Sequence, residues 1–215
     1  MATPGPATDW QQETLFYDKV HPRMVAMARC VRAMPHRSVL DIGCSTGIMR
    51  RLLPGDCDYY GCDITDHAGA RLPPGHFRQI DLNANHDLSY FASRGIRLAH
   101  MAGVLVYLNR PGEVLVEIHR LVGLGGHLVC SIVNFQATRR LDPTTHHPAW
   151  VYKPHLEDLR RLLADRGWRV TRELPFVGGL GWRTGPYRLA ARLRGVDHPW
   201  TRAQANLFIL VAEAV

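Results

Sequence analysis

The residue types and spacings that carry the most chemistry are Asp41, Gly43, Ser45, Gly47, Asp63 and Asp81. Four of them fall in one run, Ser38-Val39-Leu40-Asp41-Ile42-Gly43-Cys44-Ser45-Thr46-Gly47. Small residues at 43, 45 and 47 leave the backbone bare, so a ligand can approach the N–H groups of the loop. Asp63 lies about twenty residues beyond Gly43, an interval that sets a carboxylate at the end of the next parallel strand, where it accepts both hydroxyls of a ribose. The chemistry is that of a nucleoside site. Without a ligand the same run would be a tight strand-to-helix connection, and Asp81 after a strand is also an ordinary turn former.

The elements that must position these residues are legible in the apolar pattern. Val39, Leu40 and Ile42 read as a buried strand, with the loop opening a helix after it. Asp58 to Asp63 is the second strand, Phe77 to Ile80 the third, and Ile96 to Gly103 the fourth. A helix follows with Val114, Leu115, Ile118, Leu121 and Val122 on one stripe and Glu113, Glu117 and Arg120 opposite. It stops at the Gly123–Gly126 turn, before a fifth strand from His127 to Val133. Pro22 and Pro154 open two further helices. Trp168 to Thr171 is a sixth strand, residues 175–203 a Gly- and Arg-rich loop with a short helix, and Asn206 to Ala214 a last buried strand. Alternating strands and helices predict a parallel sheet with one antiparallel member.

The run at 38–47 resembles the first motif of class I S-adenosylmethionine-dependent methyltransferases, Asp/Glu-x-Gly-x-Gly-x-Gly, with Ser45 at the middle glycine. The resemblance continues through residues 96–134, where Val106 and Tyr107 stand in place of a frequent Glu-His pair and Leu124 in place of a Pro. It implies an α/β, Rossmann-like three-layer sandwich with a mostly parallel seven-stranded sheet whose last strand is antiparallel. It also implies one domain over 1–215: a lid and helix (1–37), a cofactor half (38–134) and a substrate half (135–215). S-adenosylmethionine is the implied cofactor. Its implied neighbours are Tyr17 as lid, Asp41, Gly43, Cys44, Ser45 and Gly47 in the loop, and Asp63 with Ile64 at the ribose. Asp81 with Leu82 stands at the adenine, and Met101 and Ala102 at the end of the fourth strand. His147, Tyr107 and His146 border the acceptor side as candidate catalytic bases. His100, inside a strand, reads as a core histidine. Loss of the Glu-His pair argues against a metal, and none is expected.

A dinucleotide fingerprint would require Gly at 43, 45 and 48, whereas positions 45 and 48 are Ser and Ile. Five cysteines with no Cys-x-x-Cys pair point to free thiols and a reducing, cytoplasmic setting. No apolar run approaches the ~20 residues of a membrane span, and Met1 to Trp10 has no secretory pattern. The net charge of +7 invites a nucleic-acid partner, and Trp182 to Arg202 holds five Arg against one Asp. Against that, no appended RNA-binding module is visible. The expectation is therefore methyl transfer to an oxygen, nitrogen or carbon nucleophile of a small metabolite, with membrane excluded and nucleic acid disfavoured. The alternatives are an RNA or protein methyltransferase, or a member that binds the cofactor without methylating.

Overall fold

A computed structural model describes residues 19–69, 71–141, 149–176 and 199–215. Seven strands form one sheet in the order β3-β2-β1-β4-β5-β7-β6. β1 (Ser38–Ile42), β2 (Asp58–Asp63), β3 (Phe77–Gln79), β4 (Leu98–Ala102) and β5 (His127–Val133) pair in parallel. β7 (Leu207–Ala214) lies antiparallel between β5 and β6 (Trp168–Phe176). The expected Rossmann-like arrangement with its last strand reversed is thus the observed one. From β1 the chain steps outward to β3, then returns to place β4 on the other side of β1. In sheets of this order ligands bind outside the carboxyl ends of the strands at that switch, where the loops leaving β1 and β4 stand.

Period-two alternation splits the strands between two faces. Leu40, Ile42, Cys62, Ala99, Met101, Leu128 and Cys130 pack with α2 (Pro111–Val122) and α4 (Leu156–Ala164). Val39, Tyr59, Leu98, Val129, Ile209 and Val211 pack beneath α1 (Pro22–Arg32), which contributes Met27, Cys30 and Val31. α2 buries Val114, Leu115, Ile118 and Val122, each worth about 1.5–3 kcal/mol of transfer free energy. The indole N–H of Trp168 donates to Leu115 O at 3.2 Å, locking α2 to β6. At the far edge, the Glu173 carboxylate accepts from Arg160 of α4 at 2.5 Å and from Arg202 of α5 (Pro199–Gln204) at 2.7 Å. α3 (Phe135–Leu141) follows β5 directly.

Two elements depart from expectation. The loop after β1 opens a short 3-10 helix, Ile48–Leu52, rather than a full α-helix. Pro54 comes next, and its ring drives Leu53 to φ −98°, ψ 158°, which ends helical winding. β6 runs on to Phe176, past the expected end at Thr171. An irregularity between Val170 and Arg172 shifts its register against β7, so the alternation breaks in sequence while the ladder continues. Among the described residues, no helix is long and apolar enough to cross a membrane.

Candidate active site

The loop after β1 owes its shape to three left-handed residues, Gly43 (φ 71°), Ser45 (φ 48°) and Gly47 (φ 73°). Ser45 is the single non-glycine with positive φ among the described residues. It adopts the conformation that the family motif assigns to glycine. The N–H groups of Gly43 and Cys44 both donate to Cys62 O, at 2.8 and 3.1 Å. Gly47 N–H donates to Cys44 O at 2.8 Å, and Ser45 N–H to Asp63 Oδ2 at 2.8 Å. A diphosphate cradle needs such N–H groups aimed at the ligand. Here they are spent on the protein, which corrects the expectation that a ligand approaches them. The loop suits a ligand without phosphate, such as a sulfonium nucleoside. Thr46 Oγ1, buried in the same loop, has no partner among the described residues and is a hydroxyl available to a ligand.

The glycines serve packing as well as backbone freedom. A Cβ at Gly43 would stand 2.2 Å from Val104 Cγ2, and one at Gly61 would stand 2.7 Å from Cys44 Sγ. Val104 caps the loop from the β4 side while the Cys44 thiol fills the gap over β2. Burial, reinforced by Asp41 and Asp63, pushes that thiol well above its ordinary range.

Asp63 is half-buried at the end of β2. Its Oδ1 accepts from Thr65 N–H at 2.9 Å and from Thr65 Oγ1 at 3.0 Å. With Ser45 on Oδ2, three of a carboxylate's roughly four acceptor positions are occupied. One ribose hydroxyl can still bind; two cannot without displacing a partner. Ile64, beside it, is 38% exposed, and its carbonyl accepts from Gln79 Nε2 at 2.8 Å. Exposed Asp81 accepts the Asn83 N–H on Oδ1 at 2.9 Å, and Leu82 is partly buried against the core. Asn83 bridges two loops: its Nδ2 donates to Tyr107 O at 2.9 Å and its Oδ1 accepts from Asn109 N–H at 2.8 Å.

The remaining candidates divide. Asp41 is 3% exposed and both its oxygens are engaged inside the sheet, by Tyr59 and His100. That corrects its assignment to direct cofactor contact. Met101 is fully enclosed in the core, so its side chain cannot line a ligand site, whereas Ala102 is half-buried at the strand end. Tyr107 is half-buried and packs on the core with Phe135 and Trp150, which meet edge-to-face at 5.4 Å. Val106 O accepts from both Val151 and Tyr152 N–H, at 2.9 and 3.0 Å, docking that returning segment beside Tyr107. Tyr17, His146 and His147 lie outside the described residues. Among the described residues, no group of three or more His, Cys, Asp or Glu is placed to hold a metal. Sequence reasoning missed His100 as the partner of Asp41, Val104 over Gly43, and Asn83; a glycine inside an aromatic strand was the one available sign of the close contact at Gly61.

A family model described as a methyltransferase domain matches residues 12–173. The chain belongs to that family. It is a class I S-adenosylmethionine-dependent methyltransferase, an enzyme whose cofactor is S-adenosylmethionine. The loop, Asp63 and the free Thr46 hydroxyl of this methyltransferase fit that nucleoside. Nothing among curated proteins matches the sequence. Solved structures match its fold at low identity. One is a methyltransferase complexed with the Trm112 methyltransferase activator of Haloferax volcanii, with TM-score 0.70, 16% identity and 99% of each chain covered. A second is a Thermotoga maritima methyltransferase described as a possible histamine N-methyltransferase, at TM-score 0.66, 12% identity, and 96% and 95% coverage of this chain and that one. A third comes from Archaeoglobus fulgidus, at TM-score 0.62, 16% identity, and 96% and 100% coverage.

The Haloferax structure overturns the expectation of a small-molecule acceptor with nucleic acid disfavoured. That expectation rested on the absence of an appended binding module. There a methyltransferase matched end to end is in complex with an activator protein.

Proposed function

We propose that this methyltransferase acts on RNA, together with a protein partner. The distribution of charge carries the reading. Residues 135–215 hold thirteen Lys and Arg against seven Asp and Glu, whereas residues 38–134 hold eight against nine. The basic excess therefore falls in the segment that the family resemblance assigns to the substrate, and a basic excess there would raise the local concentration of a polyanion and its rate of encounter. The Haloferax methyltransferase in complex with an activator supports the protein partner.

When bound, S-adenosylmethionine supplies a methyl group already activated on sulfur. In this reading the Gly43, Cys44, Ser45 and Gly47 loop shapes the pocket wall, Asp63 accepts a ribose hydroxyl, and Asp81 accepts from the adenine amino group. Ile64, Leu82 and Ala102 flank it, and Tyr17 closes over it. A base is needed where the acceptor atom is protonated, and Tyr107, His146 and His147 are the candidates to take that proton.

The test is incubation of methyl-labelled S-adenosylmethionine with a cell extract that can supply the partner, with and without the added chain, the products then being separated into RNA and protein fractions. Label should enter RNase-sensitive material and be suppressed competitively by heparin. Protease-sensitive label would replace RNA by protein as acceptor, and label in neither fraction would overturn a macromolecular acceptor.

A further inference from the structure

Asp41 ends buried in an otherwise apolar face, 3% exposed among Val39, Tyr59, Leu98 and Val129. A carboxylate there is costly unless its oxygens are partnered. Oδ2 accepts the Tyr59 hydroxyl at 2.5 Å, and Oδ1 lies 2.7 Å from His100 Nδ1, which therefore carries the proton of that bond. In register, Asp41 stands opposite His100 on β4 and Gly61 on β2, with Tyr59 two pairs back, opposite Val39. The three side chains form a polar crossbar over β2, β1 and β4.

The crossbar has a further end. His100 is 1% exposed, and its Nε2 has no partner among the described residues. Ser131 Oγ, fully buried on β5, has none either. Val129 pairs with His100 and Ser131 with Ala102, so Ser131 is the diagonal neighbour of His100 on the same face. Stability alone does not call for such a row, because replacing buried ionic groups by apolar side chains of similar volume is often neutral or stabilising. What a row of directional bonds adds is a fixed offset between strands.

The cofactor loop depends on that offset. It begins two residues after Asp41, and it closes by two N–H groups donated to one carbonyl on β2, Cys62 O. Its left-handed residues are held by those bonds and by Ser45 N–H on Asp63. We propose that His100 is a positioning residue of the methyltransferase. Through Asp41 it sets the height and rotation of the end of β1, and so the shape of the loop that receives the cofactor. It touches neither cofactor nor acceptor.

The experiment is calorimetric titration with S-adenosylhomocysteine, beside urea unfolding, for His100→Leu, His100→Asn and Tyr59→Phe. Leucine keeps the bulk and removes the donor, while asparagine restores an N–H near Nδ1. His100→Leu should lose about tenfold in affinity, and His100→Asn should recover to within about threefold of the parent. KM for S-adenosylmethionine should rise in His100→Leu while kcat at saturation changes less than about twofold. Leu and Asn variants that bind equally well, or equally badly in step with their stabilities, would overturn the proposal. Should His100→Leu fail to fold, Tyr59→Phe decides. It removes one hydroxyl from the crossbar, and unchanged affinity would sink the idea.

Discussion

Ser45 donates its backbone N–H to Asp63 Oδ2 across 2.8 Å, joining the loop after β1 to the carboxylate that ends β2. That bond helps to hold the left-handed turn and orients the Asp63 carboxylate.

Asp63→Ala should remove more than a ligand contact. Hydrogen bonds to a charged group are each worth about 1.5–3 kcal/mol, and the loop loses its anchor with them. S-adenosylhomocysteine affinity should fall at least about tenfold by calorimetry; an unchanged constant on the folded variant would remove Asp63 from the site.

Ser45→Gly should stabilise the protein. A side chain in the left-handed region costs about 1–2 kcal/mol, and the entropy that glycine adds to the unfolded chain offsets about 0.5–1 of it. The melting temperature should rise by about 2–4 °C per kcal/mol gained in a chain of this size. A fall would show that the serine hydroxyl makes a compensating contact.

Gly43→Ala brings a methyl against Val104. Overpacking of this kind costs about 1–3 kcal/mol, with backbone strain in addition. Val104→Ala in the same chain should recover the packing part and leave the strain. A double-mutant cycle in urea with no coupling between the two sites would refute the contact.

His36 Nε2 lies 2.9 Å from His127 Nδ1, a bond that requires one bare imidazole nitrogen. Burial first, then His127 and Arg97, hold His36 below its ordinary value. The unfolded chain then binds more protons than the folded one in the interval between the two values. Stability is fully present above pH ~6.5 and declines as pH falls through the folded value. The urea midpoint should drop between about pH 7.5 and about pH 5, and His36→Gln should flatten the slope. An equally steep slope in that variant would assign the effect elsewhere.

Much of this was readable in the chain because strand filling is local. Val39, Leu40 and Ile42, or the stripe from Val114 to Val122, announce their burial by spacing alone. Asp41 could not be read so. Its burial depends on His100, fifty-nine positions away, and on a strand order that sets β4 beside β1. The helix expected after the loop failed for a local reason, Pro54, whose effect on Leu53 outweighed the pattern before it. The spent N–H groups of the loop were equally hidden, because spacing shows where glycines fall and not which way their peptide planes turn.

Asn83 is bonded in two directions: its own N–H donates to Asp81 Oδ1, and its side chain holds Tyr107 O and Asn109 N–H. The turn at Asp81 and the segment at Tyr107 therefore share a mechanical link, and a ligand that orders one lowers the entropy the other still has to lose. Thermodynamic linkage then makes the effect mutual: whatever factor the bound cofactor adds to acceptor affinity, the acceptor must return to the cofactor. Cutting the link with Asn83→Ala would leave two sites that fill independently, in either order.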